Sequence, residues 1–167
     1  RPVALVLLAA GYDYVSEDLV FLRDDGEPTA YGFPDELGLT EEAGTLFPAL
    51  RQVTAAVPGW PKGRAGVREV APGTSVALSC RPALVLLLDP HAAEVEELSG
   101  DAALLELLPS VLLTDPETCR RHVAALSVAA SAATFLRLPA RPDLDAVVDL
   151  VGSTLSVPEP ARKEALR

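Results

Sequence analysis

The chain has 167 residues, 49% of them hydrophobic, and a formal net charge of −10, so it can build one domain around its own core and is not a disordered tail. With 14 Lys and Arg against 24 Asp and Glu and no basic cluster, the composition argues against a nucleic-acid partner, because phosphate backbones are gripped by clustered cations. The longest apolar runs, Pro2 to Ala10 and Pro82 to Leu88, are far shorter than the roughly 20 residues that cross a bilayer, so no membrane partner is expected.

The predicted elements follow in chain order. Pro2 to Ala10 is apolar all round, as in a buried helix, with proline in the first turn and Gly11 at the left-handed position after the last. Leu19–Arg23 and Thr29–Phe33, separated by the turn residues Asp24-Asp25-Gly26, read as a β-hairpin. A helix is expected from about Leu46 to Val57, and a loop over Pro58-Gly-Trp-Pro-Lys-Gly-Arg64. Ser75–Cys80 and Ala83–Leu88 read as strands, the second unbroken apolar and therefore expected to be covered on both faces. Asp101–Leu108 is a helix. Asp115-Pro-Glu-Thr supplies an N-cap, a first-turn proline and an early acid for a long Ala-rich helix to about Ala132. Thr134–Leu138 is a strand and Asp143–Leu155 a final amphipathic helix. The mixture implies a single α/β or α+β domain layered around one sheet.

The residue types also narrow the chemistry. Cys80 and Cys119 make no disulfide framework and read as reduced, buried thiols of a cytoplasmic protein. His91 and His122 have no partners at zinc-ligand spacing. Arg120-Arg121-His122 falls early in a helix, where a solvated face is expected. No Ser-His-Asp order or nucleophile elbow is present.

The most chemically suggestive segment is the acidic turn Gly11-Tyr-Asp-Tyr-Val-Ser-Glu-Asp18, between an apolar helix and an apolar strand. Paired carboxylates at the mouth of a sheet can bind magnesium and accept a proton from an attacking hydroxyl. On an extended backbone Glu17 and Asp18 point to opposite sides. On spacing alone the segment also fits a solvated turn held by its own polar side chains.

The run Val3-Ala-Leu-Val-Leu-Leu-Ala-Ala-Gly-Tyr-Asp-Tyr-Val-Ser-Glu-Asp-Leu-Val-Phe-Leu22 resembles the segment after the P-loop in the HPr serine kinase/phosphorylase C-terminal domain and its relatives. There a similar helix leads through Gly to a short acidic motif opening an apolar strand. Gly32-Phe-Pro-Asp-Glu-Leu-Gly-Leu39, Pro61-Lys-Gly-Arg64 and Thr134-Phe-Leu-Arg-Leu138 resemble later parts of that family more weakly. The resemblance implies a P-loop-kinase-like mixed sheet flanked by helices, with ATP and Mg²⁺ as cofactors. It implies phosphorylation of serine on a small protein or ribosomally made peptide. Glu17 and Asp18 match the paired acidic positions for magnesium and for activating the acceptor serine, with Glu17 where Asp is usual. Apart from the resemblance, Lys62 and Arg64 in their Gly/Pro loop are expected either to clamp phosphate or substrate or to be a solvated pair in a linker. Relatives commonly assemble, which leaves a homo-oligomer among the expectations.

The family's phosphate cradle is Gly-x-x-x-x-Gly-Lys-Ser/Thr, and no such run occurs in the 167 residues. The chain begins at Arg1 and contains no Met, so two expectations stand side by side. Either a preceding segment carries the loop, or the chain is a degenerate, non-catalytic relative that serves as a peptide-binding or regulatory module. Trp60 is expected either to dock a peptide or to fold onto the core.

Overall fold

The computed structural model describes residues 2–23, 27–33, 36–53, 62–111 and 115–155. Arg1, residues 24–26 where a turn is predicted, residues 34–35, the segment 54–61 with Trp60, residues 112–114, and 156–167 with Lys163 lie outside the described residues. Among the described residues the chain forms α1 (Pro2–Ala9), β1 (Val20–Arg23), β2 (Thr29–Gly32), β3 (Leu37–Leu39), α2 (Glu41–Leu46), α3 (Leu50–Val53), β4 (Gly63–Ala65) and α4 (Val67–Val70). These are followed by β5 (Ser79–Cys80), β6 (Leu84–Asp89), β7 (Glu96–Leu98), α5 (Gly100–Leu107), α6 (Pro116–Ala132), β8 (Thr134–Pro139) and α7 (Leu144–Leu155). The class is mixed α and β, as the predicted elements imply, but the expectation of one sheet is corrected: the described strands form three sheets, because the short strands pair locally.

The chain divides into two compact units, Arg1–Val20 with Gly32–Leu78 and Asp143–Arg167, and Phe21–Tyr31 with Ser79–Pro142. In the first unit α1 ends in a Schellman motif. Tyr12 N–H donates to the Leu7 carbonyl at 3.1 Å and Gly11 N–H to the Leu8 carbonyl at 3.0 Å, with Gly11 at φ 100°. That conformation costs glycine little and any other residue more, which is why the helix stops there. Leu5 and Leu8 of α1 join a core with Tyr14, Leu37, Leu39 and Leu50. The short strands β3 and β4 pair antiparallel, Leu37 opposite Ala65, Gly38 opposite Arg64 and Leu39 opposite Gly63. Over its described part, 46–53, the helix expected over 46–57 is instead the end of α2 and the short α3, with Phe47-Pro-Ala49 between them; residues 54–57 lie outside the described residues. Proline lacks the N–H and fixes φ, so a helix cannot run through Pro48 from before it without losing a bond.

In the second unit β2 lies between β1 and β5, which realises the predicted hairpin strands. A second sheet has the order β6-β8-β7, with β6 parallel and β7 antiparallel to β8. Phe135, Leu136 and Leu138 of the central strand are buried, whereas β6 is only partly buried along its length. The expectation that β6 is covered on both faces is therefore corrected: it is an edge strand, and the fully covered position belongs to β8. Arg137 on β8 is ringed by carboxylates from three elements: Glu96 at 2.7 Å, Glu106 at 2.7 Å and Asp89 at 3.5 Å. The N-cap predicted for α6 is formed. Asp115 Oδ1 accepts from the amides of Glu117 and Thr118, each at 3.0 Å.

Candidate functional site

The acidic turn is built by the end of α1 and fastened at three points within its own unit. Asp13 Oδ1 accepts from the Ser75 amide at 3.0 Å. Tyr14 N–H donates to the Ser75 carbonyl at 3.0 Å, and Ala77 N–H to the Tyr14 carbonyl at 2.8 Å. Ser16 Oγ donates to the Leu19 carbonyl at 2.7 Å and the Phe33 carbonyl at 3.1 Å, and accepts from the Phe33 amide at 3.2 Å. Residues 17 and 18 lie in a bend rather than an extended strand, so their side chains are sorted by the bend and not by a strand's alternation.

The two acids have different surroundings. Glu17 is partly buried, and its Oε2 accepts from the Gly38 amide of β3 at 2.8 Å. A carboxylate accepting from a backbone amide makes a charge-assisted bond, roughly twice as strong as a neutral one. It also occupies a donor on a three-residue strand that has few others to rely on. Asp18 is exposed. Of the two, Asp18 is the more accessible to a solvent-borne ligand, while Glu17 has one oxygen committed to β3.

No protein-family model, curated protein or solved structure matches the chain. The candidate site therefore rests on its own geometry.

Lys62 and Arg64 were expected in a Gly/Pro loop. The structure corrects this for the second residue. Gly63–Ala65 is strand β4, because pairing with β3 satisfies its backbone and buries Ala65 against the core. Arg64 stands opposite Gly38, the residue whose amide holds Glu17. Its guanidinium lies 3.8 Å from Glu36, with both side chains about half exposed. Such surface pairs contribute only about 0–1 kcal/mol, so an incoming anion can displace Glu36. Lys62, partly buried, precedes the strand by one residue. Glu17 accepts from the Gly38 amide, and Arg64 is the register partner of Gly38 on β4.

Among the described residues, no group of three or more His, Cys, Asp or Glu is placed to hold a metal ion, and no helix is long and apolar enough to cross a membrane. Magnesium in phosphoryl transfer takes only one or two protein carboxylates, the remaining positions going to phosphate oxygens and water. Glu17 and Asp18 are the two adjacent carboxylates of the bend, Asp18 the exposed one. Arg120, Arg121 and His122 occupy exposed positions of α6, and Arg120 is bound to Glu117 at 2.6 Å. Both cysteines are free, but Cys80 is exposed and Cys119 only partly covered, which corrects the expectation of buried thiols. A two-residue strand such as β5 covers little of what it carries.

Sequence reasoning singled out Glu17, Asp18, Lys62 and Arg64 but passed over Asp13, Ser16 and Gly32, which hold the turn in place. The signal for Gly32 exists only in three dimensions. A Cβ there would meet the Val15 carbonyl oxygen at 2.4 Å and the Ser16 Cβ at 2.7 Å.

Proposed function

We propose that this chain is the acid-bearing part of an ATP- and magnesium-dependent serine kinase-like domain that acts in the cytoplasm on a small protein or ribosomally made peptide. The observation that supports the reading is the bend itself: Glu17 is seated on the Gly38 amide at 2.8 Å and Asp18 beside it is exposed, while Arg64 lies opposite Gly38 in the β3–β4 register.

In this reading Glu17 and Asp18 together would hold magnesium, and Asp18, on the exposed side of the bend, would also orient the acceptor hydroxyl and take its proton. Glu17 holds the bend against β3 through the Gly38 amide. Magnesium nucleotide, when bound, supplies the phosphoryl group and the charge that a pair of adjacent carboxylates neutralises. Arg64 exchanges Glu36 for phosphate or for an acidic group on the substrate, and Lys62 adds a second cation. Positioning and charge stabilisation account for most of phosphoryl-transfer catalysis. Because no Gly-x-x-x-x-Gly-Lys-Ser/Thr run occurs in the 167 residues, the proposal takes its phosphate cradle from outside them.

The test is phosphate transfer from labelled ATP to serine peptides by the full-length protein. Asp18→Asn is expected to lower the rate by about 10²–10⁴-fold, the usual contribution of a general base. Arg64→Ala is expected to raise KM for nucleotide or peptide. Transfer at the wild-type rate by Asp18→Asn removes the assigned role. Absence of any nucleotide binding by the full-length protein favours the non-catalytic peptide-binding alternative.

A further inference from the structure

The bend that carries the two candidate acids is closed by a residue other than the acids themselves. Ser16, Glu17, Asp18 and Leu19 form a four-residue bend closed by the Ser16 hydroxyl, which donates to the Leu19 carbonyl at 2.7 Å. The same oxygen accepts from the Phe33 amide at 3.2 Å and lies 3.1 Å from the Phe33 carbonyl. A hydroxyl has one proton and two lone pairs, so the proton is shared between two carbonyls while a lone pair takes the amide. In effect the side chain replaces a backbone residue in a β-bridge to Phe33, and it closes the bend at the same time. Serine hydroxyls compete with regular backbone pairing in this way.

Gly32 makes the arrangement close-fitting. Its α-carbon lies so near the turn that a methyl group would fall 2.7 Å from both Ser16 Cβ and Val15 Cγ1. The Gly32 amide is bonded on its other side, to the Leu78 carbonyl at 3.1 Å, which holds this glycine in place against the turn. The central residues of the closed bend are the two candidate acids. One of them bonds the Gly38 amide and the other is exposed.

We infer that Ser16 is a positioning residue: its hydroxyl closes the bend that seats Glu17 on Gly38 and leaves Asp18 facing outward. This rests on the kinase-like reading for what Asp18 does, but not for the geometry itself. Removing the hydroxyl opens the bend while the core of Leu5, Leu8, Leu37 and Leu50 is untouched.

The experiment is amide hydrogen exchange on the full-length protein, paired with Mn²⁺ titration as a probe of the acids. In Ser16→Ala the Gly38 amide is expected to exchange about tenfold faster, the factor corresponding to roughly one net hydrogen bond. The amides of Val70 and Ala71 stay at wild-type rates, and Ser16→Thr restores Gly38. Mn²⁺ binding weakens on the order of tenfold in Ser16→Ala, as for other losses of groups that orient metal ligands, and is lost in Asp18→Asn. Unchanged Gly38 exchange in Ser16→Ala overturns the inference, as does equal acceleration of Val70 and Ala71, which signals general loosening. If Asp18→Asn binds Mn²⁺ as the wild type does, the metal role of Asp18 falls, and Gly38 exchange alone decides the role of Ser16.

Discussion

Gly32 and Glu17 show how the turn depends on single atoms. Alanine at Gly32 would drive a methyl group to 2.4 Å from the Val15 carbonyl oxygen, a backbone atom that cannot rotate away. The substitution is expected to cost about 1–3 kcal/mol, in the range of other overpacked sites, as measured by urea denaturation. A Gly32→Ala protein as stable as wild type would show that the close approach is not held in solution. At Glu17, exchange for Gln keeps an acceptor for the Gly38 amide but deletes the charge. Glu17→Ala leaves that amide without its carboxylate and is expected to destabilise by about 1–3 kcal/mol. Glu17→Gln should lose less. Equal losses in the two variants would mean that the charge, and not the hydrogen bond, holds β3.

At the scale of elements, α6 and β8 offer the firmest expectations. Asp115 caps α6, and bonds from the Thr118 amide first, then the Thr118 side chain, hold its carboxyl down to about 2 from the usual 3.8. A carboxyl depressed in the folded state stabilises at pH values above its unfolded pKa. That contribution is lost as the pH falls through about 4 to 2. Asp115→Asn keeps a capping oxygen without the ionisation. Its stability relative to wild type should therefore improve as acid is added through that window, as followed by urea midpoints at pH 5 and pH 2.5. A constant difference would remove the cap from the acid response. On β8, Phe135 is 2% exposed and packs with Ala103 and Ala130. Phe135→Ala should cost about 3–5 kcal/mol, read by the same denaturation.

The elements legible in the sequence are those whose signals are local. The proline and glycine that bound α1, the Asp-Pro start of α6 and the apolar run of β8 each carry their own start or stop. The three-residue strands β3, β4 and β7 have no room for a period-two pattern. β7 reads Glu96-Glu97-Leu98 and exists because β8 offers it a register partner and Arg137 a charge. The candidate site was half legible. Acid types and their order are visible in sequence, but the bond from Glu17 to an amide 21 residues away is a tertiary fact. So is the strand that turns a presumed basic loop into the partner of Gly38.

For the molecule as a whole, the dominant long-range quantity is the net charge of −10. Self-repulsion of that size opposes compactness and is screened by salt, with a Debye length of about 10 Å at 0.1 M. The melting temperature is accordingly expected to rise between low salt and 0.2 M NaCl, as followed by circular dichroism; a fall would show that attractive pairs such as those around Arg137 outweigh the excess. The central claim, that Asp18 with Glu17 forms the metal side of a phosphotransfer site, is tested most directly by calorimetric titration of magnesium-ATP into the full-length protein and its Asp18→Asn variant. Binding to the wild type is expected to weaken at least tenfold in the variant, by loss of a charged metal ligand. Equal binding by the two proteins would contradict it.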